Sequence, residues 1–106
     1  MNAVENQVRE LVAVELESAN RQFPQFHSPH EGWAVMLEEI DEAEQAMQIV
    51  RVCSGILWEH YIRRNDSGVK EVESIKEYAI QLACEALQIG AMAQKNLDML
   101  DKENLI

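Results

Sequence analysis

The chain has 106 residues, with 9 Lys+Arg against 19 Asp+Glu and a formal net charge of -10. That length allows one domain, spanning residues 1–106, and a hydrophobic fraction of 47% excludes wholesale disorder. The acid excess argues against nucleic acid and against anionic membranes as partners, whereas a bound divalent cation would reverse the local sign and admit a nucleotide.

No apolar run reaches the roughly 20 residues needed to span a bilayer, and the N-terminus lacks the apolar centre of a signal peptide. Cys53 and Cys84 fall in no CxxC or Cys/His cluster and read as packed, reduced thiols of a cytoplasmic protein. There is no Gly-rich phosphate loop and no GxSxG elbow.

In chain order, Val4, Val8, Leu11, Val12 and Leu16 recur at helical spacing and predict a first helix over 2–22. Phe23-Pro24-Gln25-Phe26-His27-Ser28-Pro29-His30 breaks it, because each proline disfavours helix in the residue before it. Ser28 as N-cap, Pro29 at the first helical position and Glu31 as capping-box acid open a second helix near Pro29. Trp33, Met36, Ile40, Met47, Val50 and Ile56 carry it to about Tyr61, with Gly55 as a weak point. Arg63-Arg64-Asn65-Asp66-Ser67-Gly68 is the clearest turn, and a third helix runs from about Val69 to Leu100. The fold class is all-α: a three-helix protomer with one shorter and two long antiparallel helices. The apolar surface these leave calls for a partner subunit, which would complete a core like that of a four-helix bundle.

At about 100° per residue, Val35 and Ala46 flank Glu39 within roughly 40°, as do Val50 and Ala43 on the other side, so Glu39 lies inside the apolar arc. Glu42 falls about 60° away, while Glu38, Asp41 and Glu44 project to the polar arc. On the third helix, Tyr78, Met92 and Asn96 lie within roughly 20° of Glu85, with Gln88 and Lys95 about 60° and 80° to one flank, on the rim. A buried carboxylate is protonated, paired or metal-bound. Glu39 and Glu42, at i and i+3, repel when both are ionised unless a hard cation lies between them, and Mg²⁺ prefers such oxygens. Periodicity alone leaves a metal site and a salt-bridge network with Lys or Arg equally open. A turn centred between Asn65 and Asp66 also leaves Glu39/Glu42 four residues out of register with Gln88/Glu85, on the order of 6 Å along the helix.

Ser28-Pro29-His30-Glu31-Gly32-Trp33-Ala34-Val35, followed by Glu38-Glu39-Ile40-Asp41-Glu42, resembles the start of a MazG-like protein of the all-α nucleoside triphosphate pyrophosphatase superfamily, in its small phage-type branch. Glu85-Ala86-Leu87-Gln88-Ile89-Gly90-Ala91-Met92-Ala93-Gln94-Lys95 resembles that group's second conserved helix. The group carries ExxE on one helix and ExxD on the next; Glu39-x-x-Glu42 matches the first, and Glu85-x-x-Gln88 matches the second only in its Glu.

The resemblance implies a Mg²⁺-dependent hydrolase, with Mn²⁺ as an alternative, that cleaves a nucleoside triphosphate to the monophosphate and pyrophosphate, for nucleotide house-cleaning or control of a phage or host pool. It assigns Glu39, Glu42 and Glu85 as catalytic carboxylates and metal ligands, with Gln88 in the metal shell as an uncharged amide. It assigns Lys95, Trp33, His30 and Asn96 to substrate binding, and it implies a homodimer or homotetramer. Two other readings stand beside it: a nucleotide- or metal-binding relative without turnover, and a structural helical assembly protein whose acids form salt bridges. His27 and His30 at i, i+3 make a poor zinc site, since Pro29 lies between them and no further His/Cys cluster follows.

Overall fold

Helix α1 (Glu5–Gln22) has Glu5 in its first turn and Arg21 in its last, each placed favourably against the helix dipole. Arg9 pairs with Glu5 at 3.0 Å and Arg21 with Glu17 at 3.1 Å, both on the solvent face, where such pairs contribute tenths of a kcal/mol. The helix stops because Pro24 forces the preceding residue out of the helical region: Phe23 is extended, at φ -135° and ψ 145°, while its N–H still donates to the Ala19 carbonyl. This computed structural model describes residues 3–104, and side chains through residue 101. Asn2, where the first helix was predicted to begin, lies outside the described residues.

Helix α2 (Pro29–His60) begins where the N-cap signal predicts. The Glu31 N–H donates to Ser28 Oγ at 3.1 Å. The Glu31 carboxylate, predicted to close the capping box, instead lies 3.0 Å from His27 Nδ1. The helix is continuous through Gly55. A short 3-10 turn, η1 (Ile62–Arg64), follows, and Asn65 and Gly68 both adopt φ of 60°. Gly68 is held under Leu57 and Tyr61, so a side chain there would meet both a strained backbone and occupied space. Helix α3 (Val69–Asn104) runs past the predicted end at Leu100. Among the described residues all regular structure is helical, and no helix is long and apolar enough to cross a membrane.

The chain divides into two compact units. The first comprises residues 3–40 and 85–104: α1, the 23–28 linker, the opening of α2 and the latter part of α3. Phe26, Ala91 and Met99 are its buried apolar side chains, and Gly90 packs against Val12 of α1. Gln25 pins the linker down: its Nε2 donates to the Lys95 carbonyl at 3.1 Å, and its Oε1 accepts from the Phe26 N–H. On α2, Gly32 is buried against Asn96, whose Nδ2 donates to the Gly32 carbonyl at 3.1 Å and to the Met92 carbonyl at 3.0 Å. A Cβ on Gly32 would collide with Asn96 Oδ1.

The second unit, residues 41–84, is the remainder of α2, the turn and the first part of α3. Ala46 is its buried apolar side chain, whereas Met47, Val52, Ile56, Trp58, Val72 and Ile80 are exposed. Single exposed apolar residues are ordinary, but this many on one helical hairpin is a poorly covered surface.

Candidate metal centre

Two half-buried glutamates, Glu39 on α2 and Glu85 on α3, come together although they are far apart in sequence. Each has its Oε2 out of contact with solvent. One carboxylate oxygen of each lies within 4.8 Å of the other. Glu42 follows one turn further along α2, is exposed and belongs to the second unit. The cause is local on both helices. The i, i+3 spacing stacks Glu39 and Glu42 along α2, and the capped, Asn96-clamped start of α2 fixes its rotation against α3. The register offset expected from the turn does not keep the carboxylates apart, since their oxygens stand at the ends of long side chains.

Ionised carboxylates about 4 Å apart repel by ~1 kcal/mol in water, and by more where water is excluded. A cation held among them removes that repulsion. The donor set is all oxygen and all carboxylate, with no His or Cys, which suits a hard divalent ion and not zinc.

Glu39 and Gln88 also line a cleft of about 580 Å³ that belongs wholly to the first unit. Its other walls come from the end of α1 and the linker, with Glu15, Gln22, Phe23 and Phe26, and from α2 and α3, with Glu31, Val35, Glu38 and Met92, so four carboxylates line it in all. Lys95 lines it too, yet its side chain is only 2% exposed. Periodicity put Lys95 on the rim of α3. The linker explains the difference, because Phe26 folds over that flank and Lys95 Nζ lies 4.9 Å from the ring centroid, a cation–π contact.

The remaining predicted residues stand apart from the carboxylates. His30 and Trp33 contact each other, with ring centroids 5.9 Å apart and planes tilted by 47°, and both are exposed. Trp33 is about 120° round α2 from Glu39 and does not line the cleft. Asn96 is buried, and both of its amide hydrogens are engaged by the Gly32 and Met92 carbonyls. Sequence reasoning missed Phe23, Phe26 and Glu15 as cleft walls. The two phenylalanines flanking Pro24-Gln25 were the one available signal, and they read simply as a helix break.

No family model, no curated protein and no solved structure matches the chain.

Proposed function

We propose that the chain is a Mg²⁺-dependent nucleoside triphosphate pyrophosphohydrolase that works as a cytoplasmic homo-oligomer. The observation that carries this reading is the convergence of Glu39 and Glu85 from two helices, with Glu42 at i+3 from Glu39 and with Glu39 lining a cleft that Lys95 also lines. The resemblance of the two segments bearing these residues to MazG-like pyrophosphatases supplies the reaction.

Glu39, Glu42 and Glu85 would hold the metal, with Gln88 as a neutral oxygen donor beside them. When bound, Mg²⁺ supplies charge neutralisation to the phosphates and acidity to water. One of the three carboxylates accepts the proton of the attacking water. The water oxygen bonds to phosphorus as the bridging P–O bond breaks, and pyrophosphate leaves with that electron pair. Lys95, held in place by Phe26, offsets charge on the phosphate chain.

The exposed apolar side chains of residues 41–84 support a second copy packing there to complete a helical bundle. The free thiols Cys53 and Cys84 are compatible with a reducing compartment. Sedimentation is expected to give a dimer or tetramer, and a stable monomer would overturn the oligomeric part. One observation favours a second reading, a binding protein without turnover: Gln88 stands where the related pattern has an acid. Pyrophosphate release from a panel of NTPs and dNTPs with Mg²⁺ decides between them. Release that is lost in Glu39→Gln supports the enzyme; no release from any nucleotide, damaged ones included, rejects it.

A further inference from the structure

Gly32 and Asn96 lie two and three turns from Glu39 and Glu85 along their helices, and we infer that their contact is a positioning device for the cation site: it sets the gap between α2 and α3, and with it a preference for a small divalent ion over a large one. This inference rests on the metal part of the reading above and not on turnover.

Three observations carry it. First, the contact is close. Gly32 is buried, Asn96 is only 9% exposed, and a Cβ on residue 32 would collide with Asn96 Oδ1, so the helices approach here as only glycine permits. Second, the contact is fixed. The Asn96 amide donates to the Gly32 carbonyl across the helices and to the Met92 carbonyl within α3, while the Gly32 N–H donates to the Ser28 carbonyl at 3.1 Å. With both amide hydrogens engaged, Asn96 has no donor left for a phosphate and acts through the helices instead. Third, the contact faces the same way as the carboxylates. Gly32 precedes Glu39 by seven residues and Asn96 follows Glu85 by eleven, each a whole number of turns to within about 20°. A spacing set at Gly32 and Asn96 is therefore passed along one face of each helix to Glu39 and Glu85, which bring one oxygen each within 4.8 Å.

The two ions differ in what they tolerate. Mg²⁺ demands near-ideal octahedral geometry with oxygens at about 2.0–2.1 Å, whereas Ca²⁺ accepts flexible shells at about 2.3–2.6 Å. Widening or loosening the gap therefore costs Mg²⁺ more than Ca²⁺.

The test is calorimetric titration of the full chain with MgCl₂ and, separately, with CaCl₂, at a temperature where circular dichroism shows every variant folded in chelator. The parent is expected to bind Mg²⁺ at least as tightly as Ca²⁺. Gly32→Ala and Asn96→Ala should each weaken Mg²⁺ about tenfold, the lower end of the range for groups that orient metal ligands, and Ca²⁺ by no more than about threefold. The double variant should bind Mg²⁺ more tightly than Gly32→Ala alone, because the methyl takes the space the amide leaves. Should Asn96→Ala not fold, Asn96→Ser repeats the test: its hydroxyl can still donate to the Met92 carbonyl but lacks the reach to Gly32. Gly68→Ala, seventeen residues before Glu85 at a backbone φ of 60°, should lower stability and leave both affinities unchanged. Tighter Ca²⁺ than Mg²⁺ binding in the parent, equal losses of the two ions in the variants, no loss in either, or a similar loss in Gly68→Ala overturns the inference and leaves the metal site. A parent that binds neither ion, or whose binding survives Glu39→Gln, rejects the metal reading and the inference with it.

Discussion

Gly32 and Asn96 form a matched pair: the Asn96 amide donates to the Gly32 carbonyl at 3.1 Å, and its Oδ1 occupies the space where a Cβ on residue 32 would stand. Gly32→Ala should therefore destabilise the protein by roughly 1–3 kcal/mol through overpacking. Asn96→Ala should cost about 1 kcal/mol through lost hydrogen bonds. The double variant should be less destabilised than the two effects added, because removing the Asn96 side chain makes room for the new methyl. Urea unfolding of the four proteins at one protein concentration checks this; strict additivity would show that the two side chains do not share that space.

Removing one carboxylate from the cluster separates its metal role from its packing role. Glu39→Gln and Glu85→Gln keep the shape and remove a charge. With Mg²⁺ at about 100 times its dissociation constant the parent should gain ~2.7 kcal/mol, and the variants much less. Thermal unfolding with and without Mg²⁺ gives both numbers, and an equal gain in all three would mean that the ion binds elsewhere.

Gln88 supplies the converse experiment. Gln88→Asp adds a charged oxygen to the wall of the cleft that Glu39 also lines. It should tighten Mg²⁺ binding by roughly tenfold or more, since affinity for hard cations follows the number of charged ligands. In chelator it should destabilise slightly, because another acid joins the cluster. Calorimetry with Mg²⁺ checks the first effect and unfolding in EDTA the second.

Lys95→Met tests what the buried ammonium is for. The thioether chain can fill the same space against Phe26 at no cost of burying a charge, so stability should be unchanged or slightly higher. Triphosphate binding should fall by about 1.5–3 kcal/mol, the range for a hydrogen bond to a charged group. A large loss of stability with intact nucleotide binding would make Lys95 a packing residue.

What could be seen in the sequence follows from how local each cause is. Ser28-Pro29 and Arg63-Arg64 through Gly68 mark their helix ends with chemistry that acts within a few residues, and both ends fall where expected. Glu39 and Glu85 were visible because the period of a helix places a residue on a face whatever that face meets. Lys95 was misplaced on an open rim because its burial depends on Phe26, 69 positions earlier, folding over the flank. Phe23 and Glu15 were passed over for the same reason: nothing on α1 itself announces that its last turns border a cleft. Trp33 drew attention by residue type, yet the helical angle that marks Glu39 also puts Trp33 on another side of α2.

The turn after α2 exposes Arg63 and Arg64 side by side, a substrate for a trypsin-like protease. A single cut there would leave Glu39 and Glu42 on one fragment and Glu85 on the other. The carboxylate cluster is then a seam as well as a site. A cation gathered by Glu39 and Glu85 would tie together two halves that the Asn96–Gly32 and Gln25–Lys95 hydrogen bonds already join.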